Sequence, residues 1–167
     1  MDKPGTLTNI FKHNLWANQR HFEKSKELTD EQLAASIPGT FGTIKDTLRH
    51  IAAAEQSYLS RISTGKPFPR DDVPAPETIG EMLTVVKETG RGFIEWTPRV
   101  KAEDTVTLDW DGTPREVPKT TILTQVINHA NEHRAQVMTI LTQEGVDPPD
   151  LSGWAYIEEH VTPTAVE

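Results

Sequence analysis

Cysteine is absent from the 167 residues. That excludes disulfides, thiolate metal sites and a protein thiol nucleophile. Long apolar runs are missing as well. Mean hydropathy is -0.52, and no stretch nears the ~18 unbroken apolar residues of a membrane helix. The opening MDKPGTLTNIFKHNLW carries no apolar export segment, so a cytoplasmic location with no membrane partner is expected. Positive charge is in deficit: 17 Lys and Arg stand against 25 Asp and Glu, a net charge of -8. Such a chain repels phosphate backbones unless basic residues cluster. No basic run occurs, so nucleic acid is not an expected partner. Hydrophobic residues, at 35%, suffice for one core. The expectation is a single domain over 1–167, its core at about 5–146 and a tail from 147 that packs back.

What is present has helical period. Residues 7–28 form a first candidate helix, with Leu7, Ile10, Phe11, Asn14, Leu15, Asn18 and Phe22 at spacings of three and four. Thr29-Asp30 ends it or caps a short following turn. Pro38, Gly39 and Gly42 then break the chain. A second helix starts near Thr43, which stands three before Asp46 as in a weak capping box. It carries Leu48, Ile51, Ala52, Glu55, Tyr58, Leu59 and Ile62 on its period. Residues 63–76 hold four prolines and read as a long connection, of the kind that is often functional. A third helix is expected from Pro76 or Glu77 to Trp96, its last turns weakened by Gly90 and Gly92 at about 1 kcal/mol each. Two alternating runs, 105–110 and 113–117, flank Asp111-Gly112, a strong hairpin signal. A last helix runs from about Lys119 to Gln143, stopped by Gly145 and Pro148-Pro149. In the tail, Trp154 and Tyr156 are expected to pack on the helices, and 160–167 to fray. The fold class is therefore all-α, a four-helix bundle with a small β-hairpin before the last helix.

Six histidines carry the chemical interest. His129 and His133 are four apart on the last helix, so both rings share one face and can share one metal ion. The line Ile122, Val126, His129, His133, Gln136/Val137, Ile140 is apolar except at its centre. The pair thus points into the bundle, where unpartnered imidazoles cost free energy. A metal satisfies one nitrogen of each ring. The alternative is two histidines hydrogen-bonded to carboxylates or carbonyls across the core. His50, on the core period of the second helix, is the candidate third ligand, with Glu55, His13 and His21 as rivals. His13 and His21 otherwise read as surface residues. Asp46 reads as a helix cap and Gln125 as a partly exposed polar residue, with pocket lining as the alternative for each. Glu132 and Arg134 read as a solvated pair or a dimer contact. Trp16, Trp110 and Trp154 are large enough to wall a pocket.

The segments FKHNLWANQRHFE, GTIKDTLRHIAAAEQSYLSRI and LTQVINHANEHRAQVMTILTQEGVDPPDL occur in this order. With them the chain resembles the DinB-like superfamily of small bacterial four-helix-bundle proteins, over nearly its whole length to about Tyr156. The resemblance implies an antiparallel bundle in up-down-down-up order, with the 63–76 connection as a crossover. It also implies a divalent metal held by one histidine of the second helix and two of the last, here His50, His129 and His133, and frequently a homodimer. Known activities in the superfamily include transfer and isomerisation with low-molecular-weight thiols such as bacillithiol or mycothiol, and some metal-dependent hydrolysis.

Three neutral imidazoles with an open position suit catalysis rather than a structural site, with zinc or nickel as the expected ion. The cation would lower the pKa of whatever fills that position. With no cysteine in the chain, a sulfur nucleophile would have to arrive with the cosubstrate. Three readings remain open at this point. They are a transferase joining a low-molecular-weight thiol to a small-molecule substrate, a metal-dependent hydrolase, and a non-catalytic metal- or partner-binding protein.

Overall fold

The computed structural model describes residues 5–160. Four long helices dominate: α1 (Thr6–Ser25), α3 (Ile44–Thr64), α4 (Ile79–Trp96) and α5 (Lys119–Gln143). Between the first two lies a single turn, α2 (Asp30–Leu33), and a 3-10 turn (Thr97–Arg99) follows α4. The hairpin is β1 (Thr105–Trp110) with β2 (Thr113–Pro118), and a last short helix, α6 (Gly153–His160), closes the described chain. No helix among the described residues is long and apolar enough to cross a membrane.

Local chemistry sets the element ends. Thr43 accepts from the Asp46 N–H and starts α3, as its spacing predicts. Thr29 and Thr78 each form a reciprocal capping box, with Gln32 and Glu81. The second of these starts α4 at Ile79, two or three residues later than expected. Gly65 ends α3 with φ 72°, a left-handed angle that side chains with a Cβ resist. At the hairpin tip Asp111 and Gly112 have φ of 52° and 79°, the type I′ combination that follows the strand twist. The antiparallel register pairs Val106 with Val117 and Leu108 with Arg115. The tail forms a short helix, and one of its two aromatic residues packs as expected. Tyr156 meets Trp16 edge-on at 5.4 Å, whereas Trp154 is 79% exposed. Of the frayed end expected from residue 160, all beyond His160 lies outside the described residues.

Helices α1 and α3 each pack on both α4 and α5. Two glycines allow the close approach. A Cβ on Gly90 would stand 2.5 Å from Leu15 Cδ1, and one on Gly92 2.5 Å from Leu59 Cδ2. The glycines that weaken α4 as an isolated helix therefore let its axis sit tight against α1 and α3. Leu7 and Ile10, which share the spacing of the first helix's apolar stripe, are instead exposed.

The interior divides into two apolar clusters. One gathers Phe22, Leu48, Ile51, Met82, Val86, Val137 and Ile140. The other gathers Phe11, Ile62, Phe93, Val106, Ile122 and Val126. Each fully buried side chain of this size contributes about 1.5–3 kcal/mol. Along every long helix buried polar residues lie between the clusters. They are Asn14 and Asn18 on α1, Glu55 on α3, Thr89 on α4, and His129, His133 and Arg134 on α5, all buried. A polar layer thus crosses the bundle at mid-height, and the functional candidates lie in it.

Candidate functional site

One helical face of α3 and one of α5 supply the cluster. His129 and His133 project from successive turns of α5, and His50 meets them from α3. One ligand-capable atom from each of the three lies within 4.8 Å of the other two. The Nε2 atoms of His50 and His129 are 2.8 Å apart. At that distance two neutral imidazoles share one proton, so one nitrogen presents a lone pair to the other. The His133 ring stands edge-on to His50 at 4.8 Å and to His129 at 4.4 Å between centroids. The Nδ1–H of His133 donates to Gln136 Oε1 at 3.1 Å, and the same oxygen accepts the Phe41 backbone N–H at 3.1 Å. This arrangement assigns the His133 proton to Nδ1 and leaves Nε2 free to act as a donor of electrons.

Electrostatics favour neutral rings. Burial, then the neighbouring His133 and His50, push the His129 pKa from 6.5 down to about 4. Burial, His133 and Arg70 lower that of His50. Neutral imidazole is the form that ligates a metal. Nitrogens sharing one ion at about 2.0–2.1 Å lie within about 4 Å of one another, close to the spread found here. The donor set therefore fits a divalent cation: three imidazoles, one of them held from behind by Gln136, and no carboxylate among them. Phe41 covers one side, stacked on His50 at 4.1 Å with 18° between the rings, and Tyr58 stands edge-on to His129 at 5.8 Å.

The rivals for the third position stand elsewhere. Glu55 is buried in the polar layer, where Oε1 accepts from Asn18 Nδ2 at 2.7 Å and Asn14 Nδ2 at 3.2 Å. Its Oε2 pairs with Thr89 Oγ1 at 2.6 Å. His13 Nε2 meets the Leu151 carbonyl at 3.0 Å. His21 is not a surface residue. It is 0% exposed on the inner face of α1, and neither ring nitrogen has a hydrogen-bond partner among the described residues. Burial, then the charge of Arg134, push its pKa down to about 3. Arg134 is not a solvated residue either. It is 5% exposed, and Nη1 donates to Asn14 Oδ1 at 2.8 Å and Asn18 Oδ1 at 2.6 Å. The two asparagines sit at i and i+4 on the stripe of α1 and bridge a carboxyl on α3 to a guanidinium on α5.

Asp46 is a helix-start residue as expected, and it also pairs with Arg49 at 3.0 Å. Gln125 and Trp110 line a cavity between α3, α5 and the hairpin. Trp16 packs against the tail, its Nε1–H donating to Glu159 at 2.7 Å. Sequence reasoning missed Phe41 and Gln136 as parts of the site. Gln136 had a signal, since it lies three residues after His133 on the same helical face. Phe41 had none, because a loop residue has no period.

The sequence profile of the DinB family matches residues 1–164. Protein DinB of Bacillus subtilis (strain 168) is 25% identical over 147 residues, covering 81% of this chain and 84% of the relative. The uncharacterized protein YrdA of the same organism is 24% identical over 131 residues, covering 75% of each. Among solved structures, a DinB-like protein from Bacillus cereus ATCC 10987 superposes with a TM-score of 0.61 at 24% identity. That match covers 86% of this chain and 93% of the other, and it supports the fold alone.

Proposed function

The chain belongs to the DinB family, and from that premise we propose that it is a metal-dependent transferase joining a low-molecular-weight thiol to a small-molecule substrate. The observation that carries the reading is the convergence of His50, His129 and His133 from two helices, with no carboxylate among them. These three are the proposed ligands of one zinc or nickel ion. A divalent cation on neutral nitrogens keeps its full charge and lowers the pKa of a thiol or water at its remaining position.

The chain's own residues do the rest. Gln136 fixes the tautomer and plane of His133. Phe41, stacked on His50, shields that side of the cluster from water. No cysteine competes for the ion or the electrophile, so the nucleophilic sulfur belongs to the cosubstrate. An up-down-down-up order accompanies this reading. Its support is that α1 and α3 each pack on α4 and α5, which fits a diagonal placement of the first two long helices. A homodimer is proposed as well. Exposed Leu7 and Ile10 line a groove of about 400 Å³ with Leu123 and Ile127 of α5, apolar surface suited to a second copy.

The deciding experiment is metal analysis of the purified chain, followed by turnover of an electrophile with and without a small thiol. The expected result is about one ion per chain, lost in His129→Ala and in His133→Ala, and product only with thiol. Equal turnover without thiol would move the assignment to hydrolysis at the same histidines. Full metal occupancy in the doubly substituted chain would remove the site.

A further inference from the structure

A cavity of about 500 Å³ opens beside the histidine cluster, between α3, α5 and the hairpin. Its walls are Tyr58 and Arg61 of α3, Gln125 of α5, and Leu108, Trp110 and Val117 of the hairpin, together with smaller groups. Three features define what it can hold. The first is shape and polarity, because aromatic and aliphatic side chains form most of the wall. The second is charge. In a chain of net charge -8, the lining contains no acidic residue, and its one ion is the Arg61 guanidinium. Arg61 donates through Nη1 to the Ser57 carbonyl at 3.0 Å and to the Ser57 hydroxyl. It pairs with no carboxylate among the described residues. Arg115, opposite Leu108 in the register, stacks over Trp110 at 5.3 Å and places a second cation on the same hairpin face.

The third feature is position. Gln125 lies one turn before His129, about 6 Å along α5. Tyr58 touches the His129 ring edge-on at 5.8 Å. Arg61 lies one turn beyond Tyr58, about 4.5 Å along α3. A molecule with its anion at Arg61 therefore lies against Tyr58, whose ring in turn meets His129.

We propose that this cavity is the subsite for the second substrate, a small aromatic or otherwise apolar molecule bearing a carboxylate or similar anion, held with the anion on Arg61 and its other end toward His129. The assignment rests on the metal-site reading for its reactive end, and on cavity shape and charge for its binding. The hairpin is then more than a connection, since its inner face supplies the roof of the subsite.

The test uses the full chain, metal-free and after loading with cobalt(II), with 2-naphthoate and the uncharged 2-naphthalenemethanol as probes. Binding is read from the Trp110 indole resonance and from probe line widths. In the metal-free protein the acid should bind at least ~10-fold more tightly than the alcohol, the scale of one charge-assisted contact. Arg61→Gln should erase that preference without weakening the alcohol, and Arg61→Lys should keep part of it. Val117→Trp should block both probes. In the cobalt form, probe protons farthest from the carboxylate should broaden most. Equal affinities, an unchanged preference in Arg61→Gln, or broadening greatest beside the carboxylate would each overturn the proposal. If cobalt fails to bind, the metal reading falls and so does the assigned orientation, while the metal-free titration still judges the cavity as an acid-binding site.

Discussion

Glu55 and His129 stand at the same height in the bundle, both in the polar layer between two apolar clusters, yet their surroundings are opposite. Glu55 is enclosed by Asn14, Asn18 and Thr89, and the two asparagines pass the contact on to Arg134. Every polar atom of that carboxyl has a partner from the protein. The Nε2 of His129 has only the Nε2 of His50, a partner that can satisfy it with one shared proton. A buried polar network that is closed on itself specifies how helices dock. A histidine cluster whose nitrogens partner one another through a single shared proton keeps lone pairs that a cation could take up. The same depth in the same fold therefore holds a closed polar network on one side and a candidate metal site on the other.

Glu55→Ala should cost about 3–5 kcal/mol, because it strands a buried guanidinium and two amides, as read from urea unfolding. Glu55→Gln should cost under ~1.5 kcal/mol, since an amide of the same shape keeps hydrogen-bonding atoms at both positions. Burial raises the Glu55 pKa above its ordinary 4.5, against the opposing pull of Thr89, Arg134 and the asparagines. A raised acid pKa means that the folded chain holds a proton the unfolded chain has lost. This stabilising contribution is full below pH 4.5 and disappears as pH rises through the folded value. Glu55→Gln should remove that slope. An unchanged profile would show that Glu55 is charged in the fold.

On the ligand side, His129→Ala should weaken zinc binding by at least ~100-fold, about 2.7 kcal/mol, by competition with a chromogenic chelator. The metal-free stability should stay within about 1 kcal/mol of the parent. Gln136→Ala should weaken zinc by about 10-fold, through the loss of His133 orientation. If His129→Ala instead unfolds the chain and Glu55→Ala does not, the roles of the two clusters are reversed.

Packing between the layers gives a smaller effect. Gly90→Ala should destabilise by about 1–2 kcal/mol. Its Cβ would meet Leu15 at Cβ as well as at the chain end, so overpacking outweighs the gain of about 1 kcal/mol in helix propensity.

His21 gives the smallest expected effect. It is a buried histidine with no polar partner among the described residues and no place in the cluster. His21→Leu should stabilise by about 1 kcal/mol at neutral pH, by relieving unsatisfied nitrogens. Its pKa falls from 6.5 to about 3, so the unfolded chain binds a proton the folded chain refuses. That contribution is full above pH 6.5 and is lost as pH drops toward 3. His21→Leu should flatten the acid limb of the stability profile by up to about 1.4 kcal/mol per pH unit in that window. A loss of stability at neutral pH would show that His21 has a role in the polar layer.

The amino-acid order was enough to locate the long helices, the Asp111-Gly112 hairpin and the Thr43 cap. Those features depend on period and on contacts a few residues apart, and such signals survive in one dimension. It was also enough to nominate His129 with His133, because i and i+4 share a face in any α-helix. Docking of the helices settled the remainder. That His50 rather than Glu55 meets the pair depends on the rotation of α3 against α5. That Arg134 and His21 are buried depends on the width of the face each helix turns inward, which the four-way packing around Asn14 and Asn18 sets. Phe41 meets His50 from a loop, and the hairpin meets α3 and α5 through a strand register, neither with a helical period. Their places are consequences of chain segments meeting in space, across separations that local sequence does not encode.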